Sequence, residues 1–366
     1  MKTKFDARVL ALFLAITVSV GLAFARTTAF APDARTLASS LPASDVVMFV
    51  DLHRIMLDII PRLLANDPAT LAKIMNAINE VRTKTGFNIL GVDGVAGGLQ
   101  FVNKATHEMK KENLGIVILV HGDFDANALI AFLGRETKGK LPQENYGGKV
   151  IYSEPQPAAP RNKKERETAA LTVLDANTLA LGDLPQVRAT IDALAGKGRI
   201  DPTLVQLAER DSSAVIGLAG NVPESLLEEL RDSAPTDDQM AQALHKALMG
   251  VKQLFGSIGA TPEDFNVISG VRMSSAEQAA SISDLLLGVR QHVVSEIPDQ
   301  TTRSLVESLQ ITAQGNEVQI KCDIKNQVVQ EFLASAAKSE GPAAKATPGK
   351  AKPKARSRRG KRRRRH

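Results

Sequence analysis

The sequence contains few of the residues that many ligand and redox sites require. Among its 366 residues there are 12 phenylalanines, two tyrosines, no tryptophan and one cysteine. So few aromatic rings argue against a sugar cleft or a groove for single-stranded nucleic acid, because such sites rely on stacking. One cysteine cannot form a disulfide within the chain. We therefore expect an aliphatic core without covalent cross-links.

Motifs for catalysis or metal binding are also missing. The chain has no Gly-x-Ser-x-Gly segment, no histidine pair at metal-binding spacing and no Cys or His cluster. His121 and Asp123 could form half of an acid–base pair, since a carboxylate can orient an imidazole. A polar strand end facing solvent explains them equally well, and the acidic pairs at 228–229 and 237–238 suit helix starts or polar faces. The sequence predicts no catalytic residue, cofactor or metal.

Glycines cluster in the segment Gly91-Val-Asp-Gly-Val-Ala-Gly-Gly98. A phosphate cradle needs glycines that open a helix, so that backbone N–H groups face the anion. This cluster instead leads into a strand-like segment, residues 99–102, and it lacks dinucleotide or P-loop spacing. It therefore predicts a β-bulge or close packing between strands.

The single cysteine, Cys322, lies in a segment with strand alternation. Val318, Ile320 and Ile324 share its face. Buried free cysteine behaves as a small hydrophobe. The pattern predicts an inert core thiol; the alternative is a reactive or intermolecular thiol.

Charge is divided sharply along the chain. Residues 338–366 hold 13 Lys or Arg against one Glu, a net charge of +12, and residues 1–25 hold three cations against one acid. The remaining residues carry 30 cations and 38 acids, a net charge of −8. The formal charge of +6 therefore comes from the tail, which is the usual mark of an interaction segment.

The first 25 residues have the pattern of a secretory signal. A basic start is followed by residues 9–25 without a charge, and Ala23-Phe24-Ala25 forms a small-x-small cleavage site. The pattern predicts a signal peptide and an extracytoplasmic protein, either periplasmic or secreted. The alternative is a single-pass inner-membrane anchor formed by residues 9–25.

The tail, residues 338–366, is predicted to be disordered because its Pro, Gly, Ala, Lys and Arg cannot bury apolar surface. Its expected partner is an anionic envelope polymer or lipid headgroup. A solubilising tail, or one that folds onto the acidic body, is the alternative. Specific recognition of nucleic acid is not expected, while a protein partner for the body stays open. The residues expected to contact the polyanion are Arg356, Arg358, Arg359, Lys361, Arg362, Arg363, Arg364 and Arg365.

The folded part is predicted to be α+β, with two similar units at residues 41–200 and 201–337. Each runs strand, helices, strand pair, helix, hairpin and helix, which indicates an internal repeat even though the aligned hairpins share almost no identities. Each unit is expected to form an antiparallel-rich sheet packed by helices. A loose leader at 26–40 precedes the first unit, and a polar insert at 154–168 interrupts it.

Individual strands and helices are predicted from the alternation of apolar and polar residues, from helix-capping residues and from glycines and prolines that end an element. Strands are predicted at 46–50, 92–102, 114–121, 149–152, 170–174, 213–218, 251–259, 265–273, 309–312 and 317–323. Helices are predicted at 68–85, from 125 to 134, at 184–195, 223–230 and 237–249, from a capping box at 274–277 to 295, and from Asn326.

Two segments, residues 41–55 and 174–183, resemble exported bacterial proteins of unknown function. In those proteins a similar opening strand follows a signal peptide, and a similar hairpin and helix close a repeat. The resemblance covers about residues 41–337. It implies an extracytoplasmic α+β body and carries over no catalytic or binding residue.

Three functions are consistent with these patterns. The first is a non-enzymatic envelope protein whose body binds a partner while the basic tail tethers it to anionic material. The second is an extracytoplasmic hydrolase whose catalytic residues only the fold brings together. The third is a carrier of apolar ligands. We favour the first, because the charge is segregated and no catalytic motif is present.

Overall fold

A computed structural model describes residues 34–101, 114–139, 141–155, 168–225, 227–228, 242, 245 and 248–331. The predicted signal peptide and the basic tail, 338–366, lie outside the described residues, as do residues 156–167 of the polar insert and most of the two predicted helices between 223 and 249. Residues up to Asn326 form one compact unit, and a second unit starts at Gln327. The described start of that second unit is helical.

All twelve strands in the described chain belong to one antiparallel sheet. Their order is β11-β12-β10-β9-β8-β1-β2-β3-β7-β6-β5-β4. The bounds are β1 Val46–Asp51, β2 Val92–Phe101, β3 Leu114–Gly122, β4 Gln143–Tyr146, β5 Lys149–Ser153, β6 Ala169–Asp175, β7 Thr178–Asp183, β8 Ala214–Asn221, β9 Val251–Ala260, β10 Asp264–Met273, β11 Gln310–Gln314 and β12 Glu317–Lys325.

Helices flank the sheet and fill its connections. They are α1 Ala34–Ala38, α2 Leu52–Arg54, α3 Ile60–Leu63, α4 Pro68–Thr85, α5 Ala126–Glu136, α6 Leu184–Leu194, α7 Pro202–Ala208, α8 Ala276–Glu296 and α9 Gln300–Glu307. A π-helical turn, Ile55–Ile59, joins α2 to α3, and a 3-10 turn, Ile89–Gly91, precedes β2. The fold is α+β, as predicted.

The strand order is mirrored about the central pair, β1 and β8. Moving outward from β1, the sheet runs β2, β3, β7 and β6; moving outward from β8, it runs β9, β10, β12 and β11. Both halves also carry an irregularity at the same place, between Val92 and Gly94 where β2 pairs with β3, and at Arg272 where β10 pairs with β9. The body therefore contains two similar antiparallel units joined edge to edge.

Caps explain where several helices start. Asp67 accepts a hydrogen bond from the Thr70 N–H at 3.0 Å, Pro68 follows it, and α4 ends at Gly86 with φ 74°. Asp125 caps α5 in the same way through the Ala128 N–H, also at 3.0 Å. These starts agree with the sequence.

Several predictions of element bounds were wrong. Helix α5 passes through Gly134 and ends before Lys138 and Gly139, which have left-handed backbone (φ 54° and 75°). A single glycine costs a helix about 1 kcal/mol, which is too little to stop it. Helix α8 is capped by Ser275 rather than Ser274, through the Gln278 N–H. Strand β4 and helices α1, α7 and α9 were not predicted.

The core has layers on both faces of the sheet. On one face, α1, α6 and α7 cover the fully buried Phe49, Val117 and Leu119. On the other face, the π-helical turn, α3 and α4 pack over Ile216, and α8 packs over Val271. These side chains are aliphatic or phenylalanine, as the composition predicts. We call the face under α1, α6 and α7 the α6 face.

Candidate functional site

Five long polar side chains form a line across the second half of the sheet, on the α6 face. Strand register places them opposite one another, with Gln314 against Glu317, Glu317 against Arg272, Arg272 against Gln253, and Gln253 against Asn221. They come from β11, β12, β10, β9 and β8 in that order. Adjacent strands are about 4.8 Å apart, so this polar row is about 19 Å long.

The centre of the polar row is a carboxylate held by two arginines. Glu317 Oε1 accepts hydrogen bonds from Arg272 Nε at 3.1 Å and Arg272 Nη2 at 2.7 Å. Glu317 Oε2 lies 2.6 Å from Nη2 of Arg210, in the loop after α7. Arg272 thus places two donors on one oxygen of Glu317 while Arg210 contacts the other, and hydrogen bonds between charged groups are the stronger ones. The side chain of Glu317 is only 17% exposed, against 40% for Arg210.

The row continues through amides and is backed by an aromatic ring. Arg272 Nη1 donates to Gln253 Oε1 at 2.8 Å, and Gln253 Nε2 donates to Asn221 Oδ1 at 2.9 Å. The guanidinium of Arg210 lies 5.0 Å from the ring centroid of the buried Phe255. A cation over an aromatic face is attracted by its quadrupole. These contacts fix the positions of both arginines.

The charges at the centre of the row favour ionisation of Glu317. Burial opposes the charged form, but the hydrogen bonds from Arg272 and Arg210 outweigh burial and hold the pKa of Glu317 below its usual range. The cluster therefore holds two guanidinium charges and one carboxylate charge at neutral pH. The surplus is one positive charge in a body whose net charge is −8.

His121 occupies the position in the first half that Arg272 occupies in the second. It pairs with Gly94 and Thr178 in the sheet, and its Nδ1 lies 3.1 Å from Thr178 Oγ1. No ion pair joins it to Asp123 in the described chain, and the Asp123 side chain is exposed. The acid–base arrangement considered for these two residues is therefore absent, and the structure supports the strand-end explanation.

A second polar cluster lies under the start of β8. Asp211 Oδ1 accepts from Ser213 N at 2.9 Å and Ser213 Oγ at 2.7 Å. Its Oδ2 accepts from Ser257 Oγ at 3.1 Å and Asn266 Nδ2 at 3.2 Å. Gly259 leaves room for this network, because a Cβ there would lie 1.9 Å from Asn266 Oδ1. The contacts tie a loop to β9 and β10, which is a structural role.

A small cleft lies beside α6. Its volume is about 220 Å³, and Ala43, Gln100, Ala189, Asp192, Lys197 and Gly198 line it. Asp192 accepts a hydrogen bond from the Tyr146 hydroxyl at 2.8 Å, which raises the pKa of Tyr146. An apolar-ligand carrier needs a large dry cavity. This cleft is small and has charged residues in its wall, so it does not favour that function.

The glycine cluster packs closely, as predicted. A Cβ at Gly91 would lie 1.9 Å from the Asp123 carbonyl oxygen, and one at Gly98 would lie 2.5 Å from Ser44 Oγ. The register irregularity between Val92 and Gly94 is the expected bulge. The glycines therefore allow neighbouring segments to pack closely and do not form a phosphate-binding loop.

Cys322 is buried, as expected for a core thiol. Burial raises the pKa of its thiol, and the charge of Asp323 adds to this, so little thiolate exists at neutral pH. Within the described residues no group of three His, Cys, Asp or Glu side chains could hold a metal ion. In that same part of the chain, no helix is both long and apolar enough to cross a membrane.

Comparison with solved structures gives a weak likeness of fold, and comparison with families and curated proteins gives no match. No family model and no curated protein matches the chain. Crystal form III of TP0453 aligns with a TM-score of 0.40 and 9% identity, covering 81% of this chain and 97% of that chain. Form I gives 0.39 and 10%, with coverage of 84% and 98%; form IV gives 0.40 and 9%, with 81% and 96%. Similarity of this extent assigns no function.

The predicted polyanion contacts, Arg356 to Arg365, lie outside the described residues. The polar row, by contrast, was missed by the sequence reasoning altogether. Arg272 and Glu317 are 45 residues apart, and no motif links them. One signal was present, because the residues alternating with the apolar face of β12 are all polar.

Proposed function

We propose that this chain is an exported, non-enzymatic protein of the cell envelope. Its α+β body binds a partner, and its basic tail tethers it to anionic lipid or polymer. The observation that supports this proposal is the segregation of charge along the chain, with +12 on residues 338–366 and −8 on the body. Each basic residue near an anionic surface contributes about 1 kcal/mol of attraction. A tail of this charge is therefore sufficient for retention at low salt.

The titratable groups of the body support a non-enzymatic function, because the most closely contacted ones serve structural purposes. Asp211 accepts four hydrogen bonds from its own neighbours, and Glu144 accepts two from Arg188 at 2.7 and 2.5 Å. His121 contacts a threonine hydroxyl rather than a carboxylate. The hydroxyls of Thr178 and Ser257, which contact His121 and Asp211, are buried in the sheet, where a substrate would not reach them.

The tether is tested by neutralising the tail without shortening it. In the full-length exported protein, all 13 Lys and Arg residues of 338–366 are replaced by Gln. Retention on vesicles of phosphatidylglycerol and phosphatidylcholine, and on isolated cell-wall material, is measured from 50 to 500 mM NaCl. The parent should be retained at low salt and released at high salt, because salt screens the attraction. Vesicles of phosphatidylcholine alone are the control.

The variant should lose most of its retention at every salt concentration. A variant that replaces a similar number of exposed cations in the body controls for total charge. If vesicles and cell-wall material retain the tail-neutralised protein as strongly as they retain the parent protein, the proposed tether is wrong.

A further inference from the structure

The two edge strands of the sheet differ in how they are protected from pairing with another chain. Strand β4 forms the edge of the first half, and β11 forms the edge of the second. Strand β4 has only four residues, follows Pro142 and carries Glu144, whose carboxylate accepts two hydrogen bonds from Arg188. Short length, proline and charge are the usual means by which proteins keep an edge strand from pairing. The β4 edge is therefore protected.

Strand β11 has none of these protections. Its five residues, Gln310–Gln314, include no charge and no proline, and they pair with β12 at five consecutive positions without a bulge. Thr312 and Ala313, in the middle of the strand, are exposed. A regular, uncharged edge strand is a ready template for one more strand. The second half of the sheet can therefore be extended at β11.

The hairpin turn indicates which backbone groups of β11 point away from β12. The loop at 315–316 has two residues, so the flanking Gln314 and Glu317 form a hydrogen-bonded pair. Hydrogen bonding alternates along an antiparallel pair, and the N–H and C=O groups of Ile311 and Ala313 therefore point outward. Among the described residues, no backbone hydrogen bond outside the hairpin reaches these two residues. An extended backbone supplies the matching donors and acceptors.

The centre of the sheet already contains a joint of this kind between two similar units. The two halves meet edge to edge through β1 and β8, which pair antiparallel with Val46 opposite Gly220. The strand order is mirrored about this joint, as in a contact that a two-fold axis generates. We propose that two copies of this protein pair antiparallel through their β11 strands and form one continuous sheet.

The sequence of β11 is suited to pairing with itself. A two-fold axis at Thr312 puts this residue opposite its counterpart in the second copy, Gln310 opposite Gln314, and Ile311 opposite Ala313. The outward groups of Ile311 and Ala313 then form four hydrogen bonds between the copies. Threonine pairs are favourable across strands, and no like charges face each other. Because the β4 edge is protected, the assembly closes at two copies.

This dimer goes beyond the proposed function, since the tether requires only one copy. Two copies would bring two basic tails, each with a charge of +12, to the same anionic surface. Once the first tail is bound, the second binds at a high effective concentration. Pairing through β11 would therefore strengthen retention without any new contact to the surface.

The oligomeric state of the full-length exported protein tests the proposal. Sedimentation velocity is measured from 1 to 200 µM protein, in 150 and in 500 mM NaCl. We expect a monomer–dimer equilibrium with a micromolar Kd, because a pair of short strands is smaller than a standard interface of about 1,600 Å². The dimer should persist at 500 mM NaCl and in the tail-neutralised protein. Attraction between the tail of one copy and the acidic body of the other would be screened by salt.

Substitutions on β11 test the strand and its register. Thr312→Lys and Thr312→Glu each put like charges opposite each other on the axis, and each should weaken the dimer about fivefold. An equimolar mixture of the two should dimerise at least as well as the parent, because opposite charges then face each other. Ala313→Pro removes an outward N–H and should abolish the dimer. Asn145→Lys is the matched control, since it adds the same charge at an exposed position of β4; it should change nothing.

Circular dichroism shows whether each variant is folded; if Ala313→Pro is not, the two charged variants at Thr312 decide. The proposal is overturned if the parent is monomeric at 200 µM, or if its dimer disappears in 500 mM NaCl or after tail neutralisation. It is also overturned if Asn145→Lys weakens the dimer as much as Thr312→Lys does, or if the folded β11 variants dimerise like the parent.

Discussion

Replacement of Glu317 by Gln tests whether the arginine–glutamate cluster stabilises the fold. The carboxylate accepts two hydrogen bonds from Arg272 and lies 2.6 Å from Arg210, with 17% of its side chain exposed. A hydrogen bond to a charged group contributes about 1.5–3 kcal/mol. Glutamine keeps the shape but leaves two guanidinium charges facing each other without an anion. We expect Glu317→Gln to lower the free energy of unfolding by about 2–3 kcal/mol at pH 7.

The pH dependence of this loss has a definite sign. The pKa of Glu317 is lower in the folded protein than its ordinary value. A carboxylate of this kind stabilises the fold above its unfolded pKa, and the stabilisation disappears as the pH falls through the folded pKa. The variant has no such group. The difference between parent and variant should therefore be constant above about pH 5 and shrink below about pH 4.

Urea unfolding, followed by circular dichroism from pH 3 to pH 8, measures both quantities. Glu144→Gln is the control, because Glu144 also accepts two hydrogen bonds from one arginine, Arg188, but is 34% exposed. A more exposed pair contributes only about 0.2–1 kcal/mol. The reasoning is refuted if Glu317→Gln costs no more than Glu144→Gln at pH 7, or if the difference between parent and variant persists unchanged at pH 3.

Two further predictions concern the packing of the sheet. Gly217→Ala should destabilise the protein by about 2 kcal/mol or more, because the new Cβ would lie 2.2 Å from the ring of the fully buried Phe49. Gly97→Ala is the control and should not destabilise it, since the Cβ there would meet Met48 at an ordinary contact distance of 3.7 Å. Thermal unfolding of both variants decides this, and equal melting temperatures would contradict it. The Cys322 thiol should react with a disulfide reagent at pH 8 at least tenfold more slowly in the native protein than in urea, because burial raises its pKa. Equal rates would show that the thiol is accessible.

The sequence predicted most of the strands because their signals are local. Alternation of apolar residues marks β12, and Asp67, Pro68 and Gly86 mark the ends of α4. It missed β4, whose residues Gln143 to Tyr146 are polar on both faces and lie at the sheet edge. A short polar edge strand forms because a neighbour offers its hydrogen bonds, and alternation does not reveal that neighbour.

The polar row was hidden for a related reason. Its residues belong to five strands, and each is an ordinary polar residue at a strand end or on an outward face. Only the register, which places Arg272 opposite both Glu317 and Gln253, turns them into one cluster. A shift of one residue in any strand would put its side chain on the opposite face. Because register depends on tertiary packing, the polar alternation of β12 does not by itself predict this site.

The two halves of the sheet differ in how the α6 face is covered. In the first half, α6 packs on β7, and Thr178 and Ala180 beneath it are buried. The corresponding positions of β12 are Glu317 and Gln319, and Lys321 follows. Small buried residues are what a helix-covered face requires, whereas charges and amides there would be left without water. The exposed polar residues on β11 and β12 therefore suit a face that is open to water among the described residues.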